Sequence, residues 1–250
     1  MPVAIIPARL ASTRFPRKVL ADQTGMPMIQ HVALQAIRAR HVERVVVATD
    51  ASEVVESLAP YATACTLTDP EHPNGTARLA EAAEKLSLAD SEIVINIQGD
   101  EPELEPECID AAVEALLADP GAPMSTVISP FGTHEDPTNP NIVKCVRSVT
   151  GRAMYFSRSL IPHDRDGGAD ITVYKHIGLY VYRVAFLRMY AALAPTPLEQ
   201  AEKLEQLRAL ENGHTIATAV FHTNVAGIDT QEDYEAFVSR WKEQHSSANP

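Results

Sequence analysis

The first half of the sequence alternates between short β-branched apolar segments and segments with helical periodicity, and this alternation constrains the fold more than any other feature. Strands are predicted at Val3–Ile6, Arg44–Thr49, Ala62–Leu67 and Glu92–Ile97. Helices are predicted from Met28 to Ile37 after Pro27, and at Ala51–Leu58, Thr76–Leu86 and Glu107–Leu117. Strands that alternate with helices favour a parallel sheet with right-handed crossovers and helices on both faces.

After residue 122 the alternation gives way to a series of strands with few helices between them. Strands are predicted at Ser125–Ile128, Val143–Val149, Ala153–Phe156, Ile177–Tyr182 and Thr215–Phe221. Helices are predicted at Leu198–Glu211, ended by Asn212-Gly213, and at Gln231–Trp241, capped by Thr230, with a tail from His245 that frays. The second half is therefore expected to be a mixed or antiparallel extension of the same sheet, and the fold class is α/β.

The chain is acidic, but its charge is unevenly distributed. It has 21 Lys/Arg and 33 Asp/Glu, a net charge of −12, which disfavours a non-specific nucleic-acid binder. Seven Lys/Arg and only two acids lie in residues 1–49, whereas seventeen acids and two Lys/Arg lie in residues 50–121. The basic first segment is a candidate anion site.

Cysteine usage and the first residues bear on the compartment. The three cysteines form no CxxC pair, which fits small buried thiols in a reducing cytosol. The first apolar run is too short for a signal peptide or a membrane span. A cytoplasmic protein without membrane contact is expected.

The loop after the first strand, PARLASTRFPRK at residues 7–18, carries four cations and two hydroxyl residues. Basic side chains, hydroxyls and free amides suit a polyphosphate, although a solvated basic loop is the alternative. The loop has neither the P-loop spacing nor G-x-G-x-x-G, which disfavours a P-loop ATPase and a dinucleotide dehydrogenase.

Two further segments follow predicted strands or open a predicted helix. In NIQGDEP at 96–102, Gly99 permits a close approach and Asp100 could hold Mg²⁺ against phosphates. The alternative is a turn followed by the acidic start of a helix. Glu101 is assigned to this alternative and not to a metal site. In PNGTAR at 73–78, Gly75 and Thr76 offer donors at a helix N-terminus, or form an ordinary cap.

Taken together, these motifs resemble the 3-deoxy-manno-octulosonate (Kdo) cytidylyltransferases, or CMP-Kdo synthetases, over residues 2–240. The first motif alone is shared by sugar nucleotidyltransferases in general. The blocks YFSRSLIPHDRD at 155–166, YKHIGLYVYR at 174–183 and PLEQAEKLEQLRALENG at 197–213 narrow the resemblance to the Kdo group. VATD at 47–50, NPNIVK at 139–144 and GIDTQED at 227–233 complete the set.

The resemblance implies a Rossmann-like nucleotidyltransferase fold with a mostly parallel central sheet and a smaller mixed-sheet part for sugar binding and dimerisation. It implies a single domain over residues 1–250, with 1–122 mainly nucleotide-binding and 123–250 mainly sugar-binding. It also implies a homodimer that uses CTP and Mg²⁺ to convert Kdo to CMP-Kdo and pyrophosphate, for lipopolysaccharide or other cell-surface glycans.

Individual roles also come from the resemblance. The catalytic residues it implies are Arg9, Arg14, Lys18 and Asp100. The nucleotide-binding residues are Ala8, Arg9, Ser12, Thr13, Arg14, Lys18, Pro73, Asn74, Gly75 and Thr76. The sugar-binding residues are Arg78, Gln98, Arg165, His176, Tyr180, Glu205 and Gln206. The metal ligands are Asp100 and Asp229.

Four positions depart from the family pattern. Arg17 replaces a usual Gly, Val19 a usual Pro, Ala77 an acid and His163 an aromatic residue. An 8-amino variant of Kdo or another carboxylate-bearing sugar therefore stays open as the acceptor. A second alternative keeps nucleotidyl transfer with a sialic-acid-like sugar or a different nucleotide. A non-catalytic nucleotide- or sugar-binding protein on the same fold is the alternative outside enzymes.

Overall fold

The structure is a computed structural model and describes residues 2–11, 14–72, 74–223 and 227–246. The described strands are β1 (Val3–Ala8), β2 (Arg44–Thr49), β3 (Ala64–Leu67), β4 (Ile93–Asn96), β5 (Met124–Pro130), β6 (Lys144–Arg147), β7 (Ala153–Ser157), β8 (Tyr174–Arg183) and β9 (Ile216–Val220). The described α-helices are α1 (Met28–Arg38), α2 (Ser52–Leu58), α3 (Gly75–Lys85), α4 (Pro106–Ala118), α5 (Val184–Ala191), α6 (Pro197–Glu202), α7 (Gln206–Glu211) and α8 (Gln231–Ser246). Short 3₁₀ turns occupy Lys18–Leu20 and Ala59–Tyr61.

The chain divides into two compact units. Unit 1 contains residues 1–87, 96–106 and 225–250, and unit 2 contains residues 88–95 and 107–224. Each unit therefore draws on separated stretches of sequence. The predicted assignment of function to residues 1–122 and 123–250 of a single domain stays a prediction.

Unit 1 has the predicted parallel arrangement. β2 pairs in parallel with both β1 and β3, and Ala8 at the end of β1 lies opposite Thr49 at the end of β2. Val, Ile and Ala fill these strands, and β1 is buried along almost its whole length, as expected for a parallel sheet covered by helices. The carboxyl ends of β1 and β2, where ligands bind in such sheets, are level with each other.

Helix α8 closes unit 1 through an apolar cluster. Tyr234, Phe237 and Val238 pack with Met28 and Ile228 into a buried group, with Phe15, Ala21 and Trp241 partly buried against it. The predicted cap is confirmed, because the Thr230 hydroxyl accepts from the Asp233 amide at 3.2 Å. The packing connects the loop that contains Phe15 to the last helix.

Unit 2 has the expected mixed pairing. β8 lies between β4 and β5, and β5 pairs antiparallel with β8 and parallel with β9. β6 pairs antiparallel with both β7 and β8. The expectation of a sheet with mixed directions after residue 122 is confirmed.

Three predictions about helices were wrong or incomplete. The helix predicted over Leu198–Glu211 is two helices, because Lys203 adopts a left-handed conformation (φ 55°) that ends α6. α5 was not predicted, since its residues directly follow a strand with no turn signal between them. α8 continues to Ser246, beyond the predicted end at Trp241 and into the segment expected to fray.

A buried ion pair joins the two helices that replace the predicted one. Arg208 of α7 donates from Nε to a carboxylate oxygen of Glu199 of α6 at 2.8 Å, and its second nitrogen contacts the other oxygen. Burial opposes ionisation of Glu199, but the hydrogen bonds from Arg208 and the Thr196 amide, together with the charge of Arg208, lower the pKa of that carboxyl. The guanidinium also lies over the Tyr190 ring, 5.4 Å from its centroid.

None of the described helices is long and apolar enough to cross a membrane.

Candidate functional site

The basic loop begins where β1 ends and returns through the 3₁₀ turn at Lys18–Leu20. Arg17 precedes that turn in a left-handed conformation (φ 59°), and its amide donates to the Leu10 carbonyl at 3.2 Å. Its side chain reaches Glu53 of α2 at 3.2 Å, with both side chains about half exposed. The loop thus folds back towards its own start and contacts α2.

A cleft of about 710 Å³ opens beside this loop within unit 1. Its size is that of an ordinary small-molecule site. Its lining residues are Pro7, Ala8, Arg9, Ala11, Arg14, Lys18, Val19, Gln98, Gly99, Asp100 and Asp229.

Gly99 lets the turn after β4 approach the end of β1. The Ile97 amide donates to the Ile5 carbonyl at 3.3 Å, which brings this segment beside β1. A Cβ at Gly99 would lie 3.1 Å from the Pro7 carbonyl oxygen and 3.2 Å from Ile29 Cδ1, which is too close for an ordinary contact. The close approach predicted from the sequence is therefore present, and it places Asp100 in the cleft.

Asp229 reaches the same place from the far end of the sequence. The Ile228 amide donates to the Asp100 carbonyl at 2.8 Å, so the two segments are fastened together at the backbone. The Asp229 amide donates to the Asp233 carboxylate at 3.1 Å, within the capped start of α8. The two predicted metal carboxylates, separated by more than a hundred residues, share one cleft.

Lys18 connects these two carboxylates. Its ammonium nitrogen lies 2.6 Å from Asp100 Oδ2, 3.3 Å from Asp229 Oδ1 and 2.9 Å from the Ile228 carbonyl oxygen. Arg14 contacts the other oxygen of Asp229 at 3.0 Å. Two cations and two anions therefore balance each other in the cleft.

Glu101 does not add a third negative charge. Burial, and then the nearby charge of Asp100, raise the pKa of the Glu101 carboxyl to about 8, so it is protonated at neutral pH. A neutral Glu101 carboxyl fits the expectation that Glu101 is not one of the metal ligands. Over the described residues, no group of three or more His, Cys, Asp or Glu side chains could hold a metal ion.

The segment predicted to frame the nucleotide opens α3. Asn74 caps the helix by accepting from the Ala77 amide at 2.9 Å. A Cβ at Gly75 would lie 3.8 Å from Pro7 Cγ, in ordinary contact, and Thr76 is buried. Pro73, like Ser12 and Thr13 of the basic loop, lies outside the described residues.

Arg78, predicted to bind the sugar, is buried in unit 1 and paired there. Its guanidinium donates to Asp50 at 2.8 Å and to the Thr68 hydroxyl. Asp50 was given no role from the sequence, although an acid directly after β2 was a signal for it. A carboxylate from this chain thus already satisfies part of the Arg78 guanidinium.

The predicted sugar residues of unit 2 include an aromatic group on β8. His176 Nε2 lies 2.9 Å from the Thr126 hydroxyl, and its ring stands edge-on to Phe156 at 5.0 Å. Burial lowers the pKa of His176 to about 3, so the ring is neutral near pH 7. The Tyr180 ring lies 5.3 Å from His176 and stacks on Tyr182 at 5.9 Å.

The remaining predicted sugar residues of unit 2 have different environments. Glu205 precedes α7, where its carbonyl accepts from the Tyr190 hydroxyl. Gln206 is 4% exposed, and its amide nitrogen has no hydrogen-bond partner among the described residues. The Arg165 side chain is 91% exposed, and its closest described carboxylate is the neighbouring Asp166 at 3.9 Å.

Within unit 1 the structure therefore brings together Ala8, Arg9, Arg14, Lys18, Gln98, Asp100 and Asp229. Within unit 2 it brings His176 and Tyr180 into contact. The bridging position of Lys18 and the role of the Ile228 carbonyl were not foreseen, because neither leaves a signal in local sequence.

Comparison with known proteins identifies relatives of this chain. The sequence model of a cytidylyltransferase family matches residues 3–216. A 3-deoxy-manno-octulosonate cytidylyltransferase of Syntrophobacter fumaroxidans is 47% identical over 237 residues, covering 94% of this chain and 95% of that protein. One from Geobacter sulfurreducens is 45% identical over 249 residues, covering 96% and 98%.

The fold is also that of a solved relative. A structure of CMP:2-keto-3-deoxy-manno-octonic acid synthetase complexed with CTP superposes with a TM-score of 0.91 at 36% identity, covering 97% of this chain and 99% of that one. Sequence and fold agree along nearly the whole chain. The chain belongs to the 3-deoxy-manno-octulosonate cytidylyltransferase family.

Proposed function

We propose that this protein transfers CMP from CTP to the anomeric hydroxyl of Kdo, giving CMP-Kdo and pyrophosphate. The observation that carries the proposal is the cleft of unit 1, where Arg9, Arg14 and Lys18 share one space with Asp100 and Asp229. The same chain is 45–47% identical over nearly its full length to two proteins named for this activity.

The chemistry explains why such a cleft is needed. An anionic sugar acid must approach an anionic triphosphate, so repulsion between the reactants is the main obstacle. Cations fixed along the triphosphate offset that repulsion and the charge that develops on the leaving pyrophosphate. Arg9, Arg14 and Lys18 are the cations in this cleft, and the loop that carries them is anchored by Leu10, Arg17 and Glu53.

The residues present fit a magnesium ion. Mg²⁺ in proteins takes one or two carboxylates, with substrate phosphates and water filling the other positions of an octahedron. Asp100 and Asp229 are two carboxylates that already contact one common cation, Lys18, beside the basic loop. When bound there, Mg²⁺ would neutralise phosphate charge and orient the nucleotide, with Asp100 and Asp229 as its protein ligands.

Each unit separately offers polar side chains that suit an acid sugar. Gln98 lines the nucleotide cleft, and the buried amide of Gln206 is available as a donor in unit 2. Neutral His176 and Tyr180 can each donate or accept a hydrogen bond to a polyol. We also propose that the active protein is a cytoplasmic homodimer; sedimentation equilibrium tests the dimer, and cell fractionation tests the compartment.

The test is a pyrophosphate-release assay with CTP, Kdo and Mg²⁺, with each component omitted in turn. Release is expected only when all three are present, and ATP, GTP and UTP should support little. Release with 8-amino-Kdo or a sialic acid but not with Kdo would overturn the sugar assignment and keep the reaction class. If no combination of nucleotide and sugar released pyrophosphate but CTP raised the melting temperature, a non-catalytic nucleotide-binding protein would be favoured.

A further inference from the structure

The ammonium of Lys18 is fully committed inside the cleft. A lysine ammonium has three N–H donors, and Lys18 has three acceptors, Asp100, Asp229 and the Ile228 carbonyl, within 3.3 Å. Its side chain is only 13% exposed. It therefore occupies the space between the two carboxylates instead of extending from the loop towards solvent.

The position of Lys18 conflicts with the metal-binding role proposed for Asp100 and Asp229, and with the phosphate-binding role proposed for Lys18 itself. A Mg²⁺ ion held by Asp100 and Asp229 needs carboxylate oxygens at about 2.0–2.1 Å, and it repels an ammonium placed between them. A triphosphate, in turn, offers Lys18 new oxygen acceptors within the cleft, whose other cations are Arg9 and Arg14. Lys18 cannot satisfy the carboxylate pair and make room for the ion at the same time.

We propose that Lys18 is an internal counter-ion that holds Asp100 and Asp229 together before substrate binds, and that the triphosphate draws it away so that the metal can take its place. This rests on the proposed function, since it assigns the two aspartates to a metal and Lys18 to a phosphate. Without Lys18 the carboxylate pair is left with less neutralising charge. A divalent cation alone then has no ammonium to displace.

By thermodynamic reciprocity, nucleotide and metal then favour each other's binding. The protein would discriminate against free divalent cations in the absence of nucleotide. The coupling arises from one side chain that exchanges partners and needs no movement of the main chain.

The test is a titration with Mn²⁺ alone, without CTP or sugar, in which free Mn²⁺ is followed by electron paramagnetic resonance. Lys18→Met removes the charge and keeps much of the length, and it should bind Mn²⁺ about 10-fold more tightly than the wild type. Lys18→Arg, which keeps the charge, should bind as weakly as the wild type. Asp100→Asn in the Lys18→Met background should abolish the gain.

A matched control uses another lysine of unit 1. Lys85 contacts a Glu81 carboxylate oxygen and the Leu67 carbonyl, each at 2.7 Å, outside the cleft. Lys85→Met should therefore leave Mn²⁺ affinity unchanged. Equal or weaker Mn²⁺ binding by Lys18→Met than by the wild type would overturn the proposal.

Thermal unfolding provides a second measurement if Lys18→Met folds poorly. The variant should melt below the wild type in EDTA and recover most of that difference in Mn²⁺, because the ion replaces the missing ammonium. No recovery in Mn²⁺ would contradict the proposal. Since these titrations contain no substrate, their failure is distinguishable from a failure of pyrophosphate release.

Discussion

The two units place opposite charges together in different ways. In unit 1, Lys18 lies between Asp100 and Asp229, whose side chains are 29% and 46% exposed in the cleft. In unit 2, the side chains of Arg208 and Glu199 are 6% and 10% exposed, and two guanidinium nitrogens contact both carboxylate oxygens. Solvent and ligands can reach the first group, so its partners are exchangeable. The second is closed off, so its role is to hold α6 against α7.

The largest expected effect is on catalysis in unit 1. Asp100→Asn removes a charge from the carboxylate pair and should lower kcat on the order of 10³-fold, while the melting temperature changes little because the cleft is open to solvent. Pyrophosphate release and thermal unfolding measure the two effects. Asp119→Asn, which breaks an ion pair with Arg152 in unit 2, is the control and should keep wild-type turnover. Wild-type rates in Asp100→Asn would refute the metal assignment.

The next effect is on stability in unit 2. Arg208→Met leaves Glu199 buried without its partner and should lower the free energy of unfolding by about 3–5 kcal/mol, measured by urea denaturation. The double variant Arg208→Met with Glu199→Leu should regain most of that loss, because no charge is then left buried alone. A small loss of unfolding free energy in Arg208→Met would mean that the Arg208–Glu199 pair separates as readily as the contacts of Lys18 in the cleft.

A smaller effect concerns Gln206, a predicted sugar-binding residue of unit 2. Its buried amide nitrogen has no hydrogen-bond partner among the described residues. Gln206→Leu should raise the free energy of unfolding by about 1 kcal/mol, since an unsatisfied buried amide is costly. It should also raise KM for the sugar about 10-fold, with KM for CTP unchanged, because a sugar hydroxyl loses its donor. Gln200→Leu, on the exposed face of α6, is the control. An unchanged KM for the sugar would assign Gln206 to packing alone.

The smallest expected effect concerns the backbone of the basic loop. Arg17 is left-handed, a conformation that costs an ordinary residue about 1 kcal/mol and glycine almost nothing. Arg17→Gly should therefore be more stable than Arg17→Ala by about 1 kcal/mol, since both lose the exposed contact with Glu53. Denaturant melts of the two variants make the comparison. Equal stability would show that the loop relaxes its backbone when the side chain is lost.

The sequence predicted unit 1 better than unit 2, for physical reasons that individual residues show. β1 and β2 are runs of apolar residues, so their strands, and the loops at their carboxyl ends, could be placed by pattern alone. Gly99 and Asp100 follow directly from that placement. The break at Lys203 could not be predicted, because lysine is a good helix former and only tertiary contacts such as Arg208 with Glu199 decide its conformation.

Side-chain partners were the hardest part of the site to predict. The family resemblance assigned Arg78 to the sugar, and the structure adds that Asp50 already contacts its guanidinium. The same resemblance assigned Lys18 to phosphate and the two aspartates to metal, without indicating that the three contact one another. Motifs identify which groups are present, whereas their pairing depends on how distant segments pack.

The interleaved course of the chain has a consequence for biosynthesis. The Lys18 loop and the Asp100 turn leave the ribosome early, but Asp229 and the helix that packs over Met28 come from the last stretch of unit 1. A nascent chain therefore carries the basic half of the cleft long before its second carboxylate is made. Nucleotide-binding capacity should mature only after Asp229 and α8 have been made, and residues 107–224 of unit 2 are synthesised between the Asp100 turn and Asp229.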